Sequence, residues 1–287
     1  MTVAALSRMV KFEHALFALP FAASAIVVVA RDARLEPARL ALVVLCVVAA
    51  RTAAMAMNRI ADRAFDAGNP RTARRELVTG EVSLAGAWAL LLGSAAAFVA
   101  GAALISPLCG ALALPVLAIL LGYSYGKRFT WAVHLWLGVA QALGPIGVAI
   151  ALTGRASAAA IVLGTAVGAW VAGFDVLYAL QDMDFDRGAR LHSIPARFGV
   201  AGALRWSRGL HLAAAVLFTA AGLLAGRGAA WLAGSVLMMA VLGAEHQYVA
   251  PAGELRRERI GAAFFTFNAL ASVAFAACAL ADLAWRG

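Results

Sequence analysis

Apolar residues dominate the chain in long runs that recur along its whole length, with short polar segments between them. A helix needs about 20 predominantly apolar residues to cross the hydrocarbon core of a bilayer. The pattern predicts nine spans, at residues 14–30, 40–57, 83–103, 107–125, 132–152, 158–178, 206–225, 229–248 and 260–284. Because few residues remain between them, we expect an all-α polytopic membrane bundle of nine transmembrane helices that forms a single domain over residues 1–287.

Composition favours a membrane protein over a soluble one. Apolar residues make up 63% of the chain and charged residues 14%, against about 45–50% and about 25% in soluble domains. The first apolar run follows Arg8 and Lys11 and is expected to be a retained helix rather than a cleaved signal peptide. The three cysteines lie isolated in apolar runs, without the spacing of a metal site, and are expected to fill the core.

Positive charge is distributed unevenly between the loops that alternate across the membrane. One set of loops carries 17 of the 24 Lys and Arg residues and the other carries 6, with Arg51 inside a predicted span. Cytoplasmic loops retain Lys and Arg, so the pattern predicts that the amino terminus faces the cytoplasm. We expect a protein of a bacterial-type inner membrane, whose net charge of +9 reflects this topology and requires no nucleic acid partner.

Two polar stretches at the ends of predicted spans repeat a polar side chain at every fourth residue. The stretches carry Asn58, Asp62 and Asp66 in the first and Tyr178, Asp182 and Asp186 in the second. Residues four apart lie on one face of a helix, so each stretch is expected to present a row of oxygen ligands. The two rows are offset by 120 residues and lie on the same predicted side, which indicates a weak internal repeat whose rows face each other.

Paired carboxylates together with substrate phosphates are ligands that Mg²⁺ prefers in proteins. The rows therefore predict Mg²⁺ ions that bridge the phosphates of a prenyl diphosphate, held by Asp62, Asp66, Asp182 and Asp186, with Asn58 as a further candidate ligand. Basic residues on the same side are expected to contact the phosphates, namely Arg71, Arg75, Lys127 and Arg190. For each of them a purely topological role in an Arg-rich loop stays open.

Further polar residues continue these faces into the spans. Asp175 precedes Asp182 by seven residues and Arg51 precedes Asn58 by seven, while Tyr178 lies between Asp175 and Asp182. Charged groups at such depth are costly, so we expect Arg51 to bind a carboxylate or polar oxygen of an acceptor molecule, and Asp175 to belong to the site. The alternatives are an intramembrane ion pair of Arg51 with Asp175 or another acid, and an interfacial anchor role for Tyr178.

Segments outside the rows give two more expectations. Polar stretches of about 16 and 18 residues follow the first and second rows and are expected to form cytoplasmic cap loops. Hydrogen bonding between helices is expected for four polar residues in or near spans, which are Gln141, Glu245, His246 and Asn268.

The motifs resemble the UbiA superfamily of intramembrane aromatic prenyltransferases, whose hallmarks are an NxxxDxxxD and a DxxxD motif. The similarity covers nearly all nine spans and includes segments 69–75 (NPRTARR), 123–130 (YSYGKRFT) and 191–195 (LHSIP). The resemblance implies that the motif acids bind Mg²⁺ and the isoprenyl diphosphate. It also implies that Tyr123 and Lys127 form a YxxxK pair that assists the diphosphate, and that Arg51 contacts the aromatic acceptor.

The resemblance further implies an electrophilic alkylation. Departure of diphosphate leaves an allylic cation, an aromatic ring carbon attacks it, and a proton passes to Asp175 or to the released diphosphate. The opening segment 9–21 (MVKFEHALFALPF) is similar to the branch labelled 4-hydroxybenzoate polyprenyltransferase, which includes enzymes that are thought to prenylate 1,4-dihydroxy-6-naphthoate. Both acceptors are aromatic carboxylates of respiratory quinone synthesis, and the residues do not choose between the ubiquinone and menaquinone routes.

Other functions stay open at this point. Within the enzyme class, haem, chlorophyll and lipid prenyltransferases remain alternatives. The residues do not determine the prenyl chain length or the oligomeric state. A secondary transporter is the alternative from another class, but it would be expected to place its key charges near the bilayer midplane rather than at one face. A structural membrane protein would leave the paired four-residue period and Arg51 without a role.

Overall fold

A computed structural model describes residues 2–11, 19–33 and 35–286 of the chain. These ranges are helical and contain no β-strand, which confirms the all-α prediction. Eight of their helices are long and apolar enough to cross a membrane, and the helix Leu19–Val29 is a shorter apolar one. The set is consistent with nine predicted spans, and the protein is an integral membrane protein.

The helices in the described ranges are labelled in chain order. They are α1 (Val3–Met9), α2 (Leu19–Val29), α3 (Pro37–Gly68), α4 (Leu84–Ile105), α5 (Pro107–Gly122), α6 (Val133–Thr153), α7 (Ala158–Ala179), α8 (Met183–Gly188), α9 (Ile194–Leu224), α10 (Ala229–Val249) and α11 (Arg257–Arg286). Short 3₁₀ turns follow α5, α7 and α10. Three sequence predictions lie outside the described residues: the start of the first span at 14–18, the segment 12–18 of the opening similarity, and the loop charge of Arg34.

Contacts divide the chain into two compact units. The amino-terminal unit comprises Met1–Leu19 and Leu35–Tyr125, and the carboxy-terminal unit comprises Pro20–Arg34 and Gly126–Gly287. The expected single domain over residues 1–287 stays a prediction.

The amino-terminal unit packs α3 against α4 and α5, and α1 against α3. Its core includes Met9 of α1, Ala53 and Ala56 of α3 and Leu91 of α4. Residues 69–83 connect α3 to α4 through consecutive turns, and Leu77 from this loop is buried in the same core. The loop is therefore fixed against the helices by apolar contacts, as a cap loop would be.

Helix ends in this unit follow local sequence signals. Pro occupies the first turn of α3 and of α5, where its missing N–H costs no hydrogen bond. Ser83 begins α4 by accepting a hydrogen bond from the N–H of Gly86 at 3.1 Å, and Ser106 does the same for Cys109 at the start of α5. These caps set where α4 and α5 begin.

The carboxy-terminal unit packs α7 against α6, α9 and α11, and α10 against α9 and α11. Helices α6 and α7 approach each other closely at two glycines. A Cβ on Gly168 would lie 2.5 Å from the carbonyl oxygen of Gly138, and one on Gly138 would lie 2.7 Å from that of Gly168. Small residues are needed where helix backbones approach this closely, so this pair fixes α6 on α7.

The second cap loop is shorter than predicted. Only residues 189–193 separate α8 from α9, because α9 begins at Ile194 rather than near residue 206. Ser193 caps this start by accepting a hydrogen bond from the N–H of Ala196 at 3.2 Å, and Pro195 lies in the first turn. A kink at Gly199, whose φ of 68° is strained for other residues, separates the first turns from the long apolar part.

Candidate functional site

The first polar row lies on one continuous helix, as predicted. Asn58 and Asp62 are neighbours on α3, and the side-chain amide of Asn58 donates a hydrogen bond to Asp62 Oδ2 at 2.9 Å. Asp66 follows one turn later and is buried near the end of the helix. The four-residue period therefore places the three side chains along one face.

Arg75 from the following loop reaches back to Asp66. Its Nη1 donates to both carboxylate oxygens of Asp66 at 2.7 Å, and the two side chains are only 20% and 10% exposed. Thr72 holds the intervening turn by donating to the Asp66 carbonyl oxygen at 3.2 Å, and Asn69 accepts from the N–H of Arg71 at 3.0 Å. The loop thus folds so that a guanidinium lies against the last acid of the row.

Other predicted residues of this unit occupy different environments. The Nε of Arg51 is buried and has no hydrogen-bond partner among the described residues. The side chain of Arg71 is exposed. Tyr123 is half-buried and begins the 3₁₀ turn that carries Lys127 and Arg128 at its end. An Arg inside an apolar span with an unused donor is a candidate for binding an anionic group.

Two basic residues near the first row were not predicted as site residues. Arg59 is buried on α3, and its Nε donates to the carbonyl oxygen of Met9 at 3.0 Å, which ties the end of α1 to α3. The pKa of Lys11 is lowered from 10.5 to about 8, first by burial and then by the positive charges of Arg59, Arg75 and Arg71. The sequence offered one signal for Lys11, because this residue lies within the opening segment 9–21 that carries part of the family resemblance.

The second row differs from the prediction of one regular α-helix. The α-helix α7 ends at Ala179, a 3₁₀ turn covers Leu180–Asp182, and α8 begins at Met183. In a 3₁₀ turn each hydrogen bond closes over three residues, which changes the angular spacing of side chains. The Gln181 side chain donates to the Tyr178 carbonyl oxygen at 3.2 Å beside this turn. Both Asp182 and Asp186 are buried.

Lys127 is the cation of the second row. Its Nζ lies 3.3 Å from Asp186 Oδ2 and 3.4 Å from Asp186 Oδ1. The Lys127 carbonyl oxygen also accepts from the N–H of His192 at 2.6 Å, and the Asp186 carbonyl oxygen accepts from the N–H of Leu191 at 2.8 Å. Backbone bonds thus fix the segment after α8 beside the carboxylate and the ammonium group.

Two charged residues that follow Asp182 in the chain, Asp184 and Arg190, have exposed side chains. Asp184 is exposed, and its Oδ2 forms a surface ion pair with Nη1 of Arg257 on α11 at 2.7 Å. Arg190 is exposed, with a positive φ of 55°, and among the described residues it makes no side-chain bond to Asp182 or Asp186. Of the predicted cations in this unit, Lys127 is the one that contacts an acid of the row.

Asp175 has a partner that the sequence did not indicate. Its Oδ2 lies 2.7 Å from Nδ1 of His134 on α6, and the side chain of His134 is 1% exposed. Tyr178, one turn after Asp175, packs its ring 4.5 Å from that of Phe264. A carboxylate oriented by a histidine is an arrangement suited to proton transfer.

The predicted hydrogen bonds between helices are present for three of the four residues named. Asn268 of α11 donates to Glu245 of α10 at 3.0 Å, and His246 of α10 lies 3.1 Å from His211 of α9. These groups connect spans rather than extend the acid rows.

The donor set fits Mg²⁺ in chemistry. Within the described ranges, no three His, Cys, Asp or Glu side chains are grouped closely enough to hold a metal ion by themselves. Mg²⁺ commonly binds through one or two carboxylates together with waters and substrate phosphates, so a full protein cage is not needed. Each unit supplies two row carboxylates. Asp66 contacts Arg75, and Asp186 contacts Lys127.

Comparison with proteins of known sequence gives relatives with a prenyltransferase name. A protein from Nitrosomonas eutropha called 4-hydroxybenzoate octaprenyltransferase is 34% identical over 216 residues, which cover 73% of this chain and 72% of that protein. The chain spans about half the length of two other curated relatives of that name, 52% and 50%.

Solved structures share the fold. The apo structure of a UbiA homolog from Aeropyrum pernix superposes with a TM-score of 0.84 at 36% identity, over 94% of this chain and 98% of that one. A UbiA homolog from Archaeoglobus fulgidus, solved with GPP and Mg²⁺, has a TM-score of 0.68 at 21% identity over 98% and 99% of the two chains. The sequence profile of the UbiA prenyltransferase family matches residues 18–270. The chain therefore belongs to the UbiA prenyltransferase family.

Proposed function

We propose that the protein transfers a polyprenyl group from a polyprenyl diphosphate to an aromatic acid, in a reaction that depends on Mg²⁺. The observation that carries the proposal is the pairing of a buried row acid with a basic side chain in each unit, Asp66 with Arg75 and Asp186 with Lys127. Such mixed sites can bind phosphate oxygens directly and through a divalent cation. The family and the names of the relatives support the same reaction class.

The donor is held by its diphosphate. Asp62, Asp66, Asp182 and Asp186 would hold Mg²⁺, with Asn58 as a further ligand, and the ion would supply positive charge to offset the phosphates. Arg75 and Lys127 lie beside the row acids and stabilise the charge that develops on the departing diphosphate. We assign supporting phosphate contacts to Arg71, Tyr123, Tyr178 and Arg190.

The acceptor is held by Arg51. Its buried Nε lacks a hydrogen-bond partner among the described residues, and an unused guanidinium donor in an apolar span is costly. A carboxylate satisfies such a group through charge-assisted hydrogen bonds. Both 4-hydroxybenzoate and 1,4-dihydroxy-6-naphthoate carry a carboxylate, and their apolar rings suit the membrane interior.

The bonds that change follow from these positions. The allylic C–O bond to the diphosphate breaks, and the pair of electrons stays with the diphosphate. An electron-rich ring carbon forms the new C–C bond, and the ring then loses one proton. We assign this proton to Asp175, whose carboxylate is oriented by His134 at 2.7 Å.

The proposed setting is the synthesis of a respiratory quinone, ubiquinone or menaquinone, at a bacterial inner membrane. The excess of Lys and Arg in one set of loops supports a cytoplasmic orientation of the acid rows. The polyprenyl tail remains among the apolar spans while the diphosphate is bound at their polar ends.

The proposal is tested with purified protein, Mg²⁺, a long-chain prenyl diphosphate and one acceptor at a time, 4-hydroxybenzoate or 1,4-dihydroxy-6-naphthoate. Mass spectrometry is expected to find one prenylated aromatic acid, and its identity assigns the route. Release of diphosphate without prenylation of either acid would contradict the acceptor class and favour a haem, chlorophyll or lipid acceptor. No Mg²⁺-dependent chemistry with any acceptor would favour transport.

A further inference from the structure

Three aromatic rings gather around the start of α9. Trp131, in the segment before α6, lies edge-on to Phe198 at 5.2 Å between ring centroids, and its ring is 5.9 Å from that of Trp206. The guanidinium carbon of Arg197 lies 5.4 Å from the Trp131 ring centroid. Tryptophan and arginine are characteristic of the zone where a bilayer meets water, because each combines an apolar body with a polar end.

An open groove along one face of α9 lies beside these rings. Its volume is about 350 Å³, and it is lined by Phe198, Gly202, Arg205, Trp206, Gly209 and Leu210. We call it the Arg205 pocket. Its size lies at the lower end of the range of ligand pockets, about 300–1,000 Å³.

Two glycines one heptad apart shape the pocket in different ways. Phe198 packs onto Gly202, where an added Cβ would lie 2.5 Å from the Phe198 Cβ. At Gly209 an added Cβ would meet nothing within 4 Å. The aromatic wall is therefore fitted closely to the helix at Gly202, whereas the space over Gly209 is open to an occupant.

The pocket carries the positive charge of an arginine. Arg205 lines it, and Arg208 is exposed on the next part of the same helix. In the part of the chain that the structure describes, neither guanidinium forms an ion pair with a carboxylate, whereas the exposed Arg257 does so with Asp184. An anionic ligand would provide the missing opposite charge.

An apolar strip continues from the pocket along α9. Leu212 and Val216 follow Gly209 by three and seven residues and are 62% and 61% exposed. In a membrane-spanning helix such residues face lipid chains. The pocket thus lies where an arginine-bearing end of the span meets its lipid-facing surface.

We propose that the Arg205 pocket binds the headgroup of an anionic phospholipid from the surrounding bilayer. The phosphate contacts Arg205, the glycerol occupies the space over Gly209, and an acyl chain follows Leu212 and Val216. Basic pockets at membrane helices are known to attract anionic headgroups. The site is separate from the acid rows, and the inference does not rest on the proposed reaction.

The test counts bound lipids by native mass spectrometry on the purified full chain, with phosphatidylglycerol and phosphatidylcholine of matched acyl chains. The wild type is expected to bind phosphatidylglycerol about fivefold more tightly, the scale of about 1 kcal/mol for one basic residue near a membrane surface. Arg205→Gln removes the charge. Gly209→Leu places a side chain in the pocket, where an added Cβ meets nothing within 4 Å, and leucine has a higher helix propensity than glycine.

Matched controls separate the pocket from general effects. Arg39→Gln removes a charge from α3, and Gly243→Leu adds the same side chain at an exposed glycine of α10 that also has nothing within 4 Å. Both controls are expected to keep the preference for phosphatidylglycerol, whereas Arg205→Gln and Gly209→Leu are expected to lose it. The thermal unfolding of the two pocket variants in neutral detergent is expected to match that of the wild type. The proposal is wrong if either pocket variant keeps the wild-type preference, since charge and space are both required.

Discussion

Asp66 and Arg75, nine positions apart in the chain, form a pair in which one guanidinium nitrogen of Arg75 contacts both carboxylate oxygens of Asp66 at 2.7 Å. The pair joins the end of α3 to the loop that follows it, and both side chains are largely buried. In the proposed reaction the same two groups serve the diphosphate, one through the metal ion and the other directly.

Replacing Arg75 by Gln is expected to raise KM for the prenyl diphosphate about tenfold or more. Hydrogen bonds to charged groups contribute about 1.5–3 kcal/mol, and a phosphate contact of this kind is lost. Arg74→Gln is the matched control, because Arg74 is the exposed neighbour in the same loop. Steady-state kinetics with varied diphosphate test the prediction, and an equal effect of the two substitutions would contradict a specific role of Arg75.

Replacing Arg51 by Ala is expected to raise KM for the aromatic acid while KM for the prenyl diphosphate stays nearly constant. The reason is the buried and unpartnered Nε of Arg51, to which we assign the acceptor carboxylate. Arg39→Ala removes a charge from the same helix and should leave both constants unchanged. Weaker diphosphate binding with an unchanged acceptor KM would show that Arg51 serves the donor instead.

Binding of the prenyl diphosphate is expected to weaken as the pH rises from 7 to 9. Burial and the charges of Arg59, Arg75 and Arg71 lower the pKa of Lys11 to about 8, against the opposing effect of Glu76. Lys11 is therefore mostly charged at pH 7 and mostly neutral at pH 9, so positive charge near the first row is lost in this window.

The pH dependence of the diphosphate KM in the wild type and in Lys11→Arg measures this effect. Arginine stays charged throughout the range, so the variant is expected to show a flatter profile. Identical profiles for the two proteins would assign the dependence to the diphosphate or to another group.

Gly168→Ala is expected to lower the free energy of unfolding by about 1–3 kcal/mol, the usual cost of overpacking. The new Cβ would lie 2.5 Å from the carbonyl oxygen of Gly138, which is backbone and cannot turn away. Gly147→Ala on α6 is the control, because a Cβ there meets nothing within 4 Å. Thermal unfolding in detergent should separate the two variants, and equal midpoints would refute the close contact of α6 with α7.

The long apolar runs made the helices predictable, since each span must satisfy its own backbone hydrogen bonds. Hydrophobicity alone predicts a start for α9 that is too late, since α9 begins at Ile194. Residues 194–205 mix Arg with Ala and Leu. They are helical, but they are too polar to count as part of the apolar run. The cap at Ser193 and Pro195 was the available signal.

The pairing of Asp175 with His134 lay beyond sequence reasoning for a different reason. The two residues are 41 positions apart, and their contact depends on how α6 packs on α7. That packing is set by Gly138 and Gly168, whose effect is visible only when the two backbones are placed together. By contrast, the four-residue period of the first row follows from one helix and was predictable.

The most direct test of the central claim compares Asp182→Ala with Asp184→Ala in Mg²⁺-dependent formation of the prenylated aromatic acid. The two carboxylates are two residues apart, but Asp182 is buried in the second row while Asp184 is exposed and paired with Arg257. We predict a loss of at least about 100-fold for Asp182→Ala, the scale of removing a group that stabilises developing charge, and near wild-type turnover for Asp184→Ala. Near-normal turnover of a folded Asp182→Ala variant would contradict the assignment of the acid rows to the metal and the diphosphate.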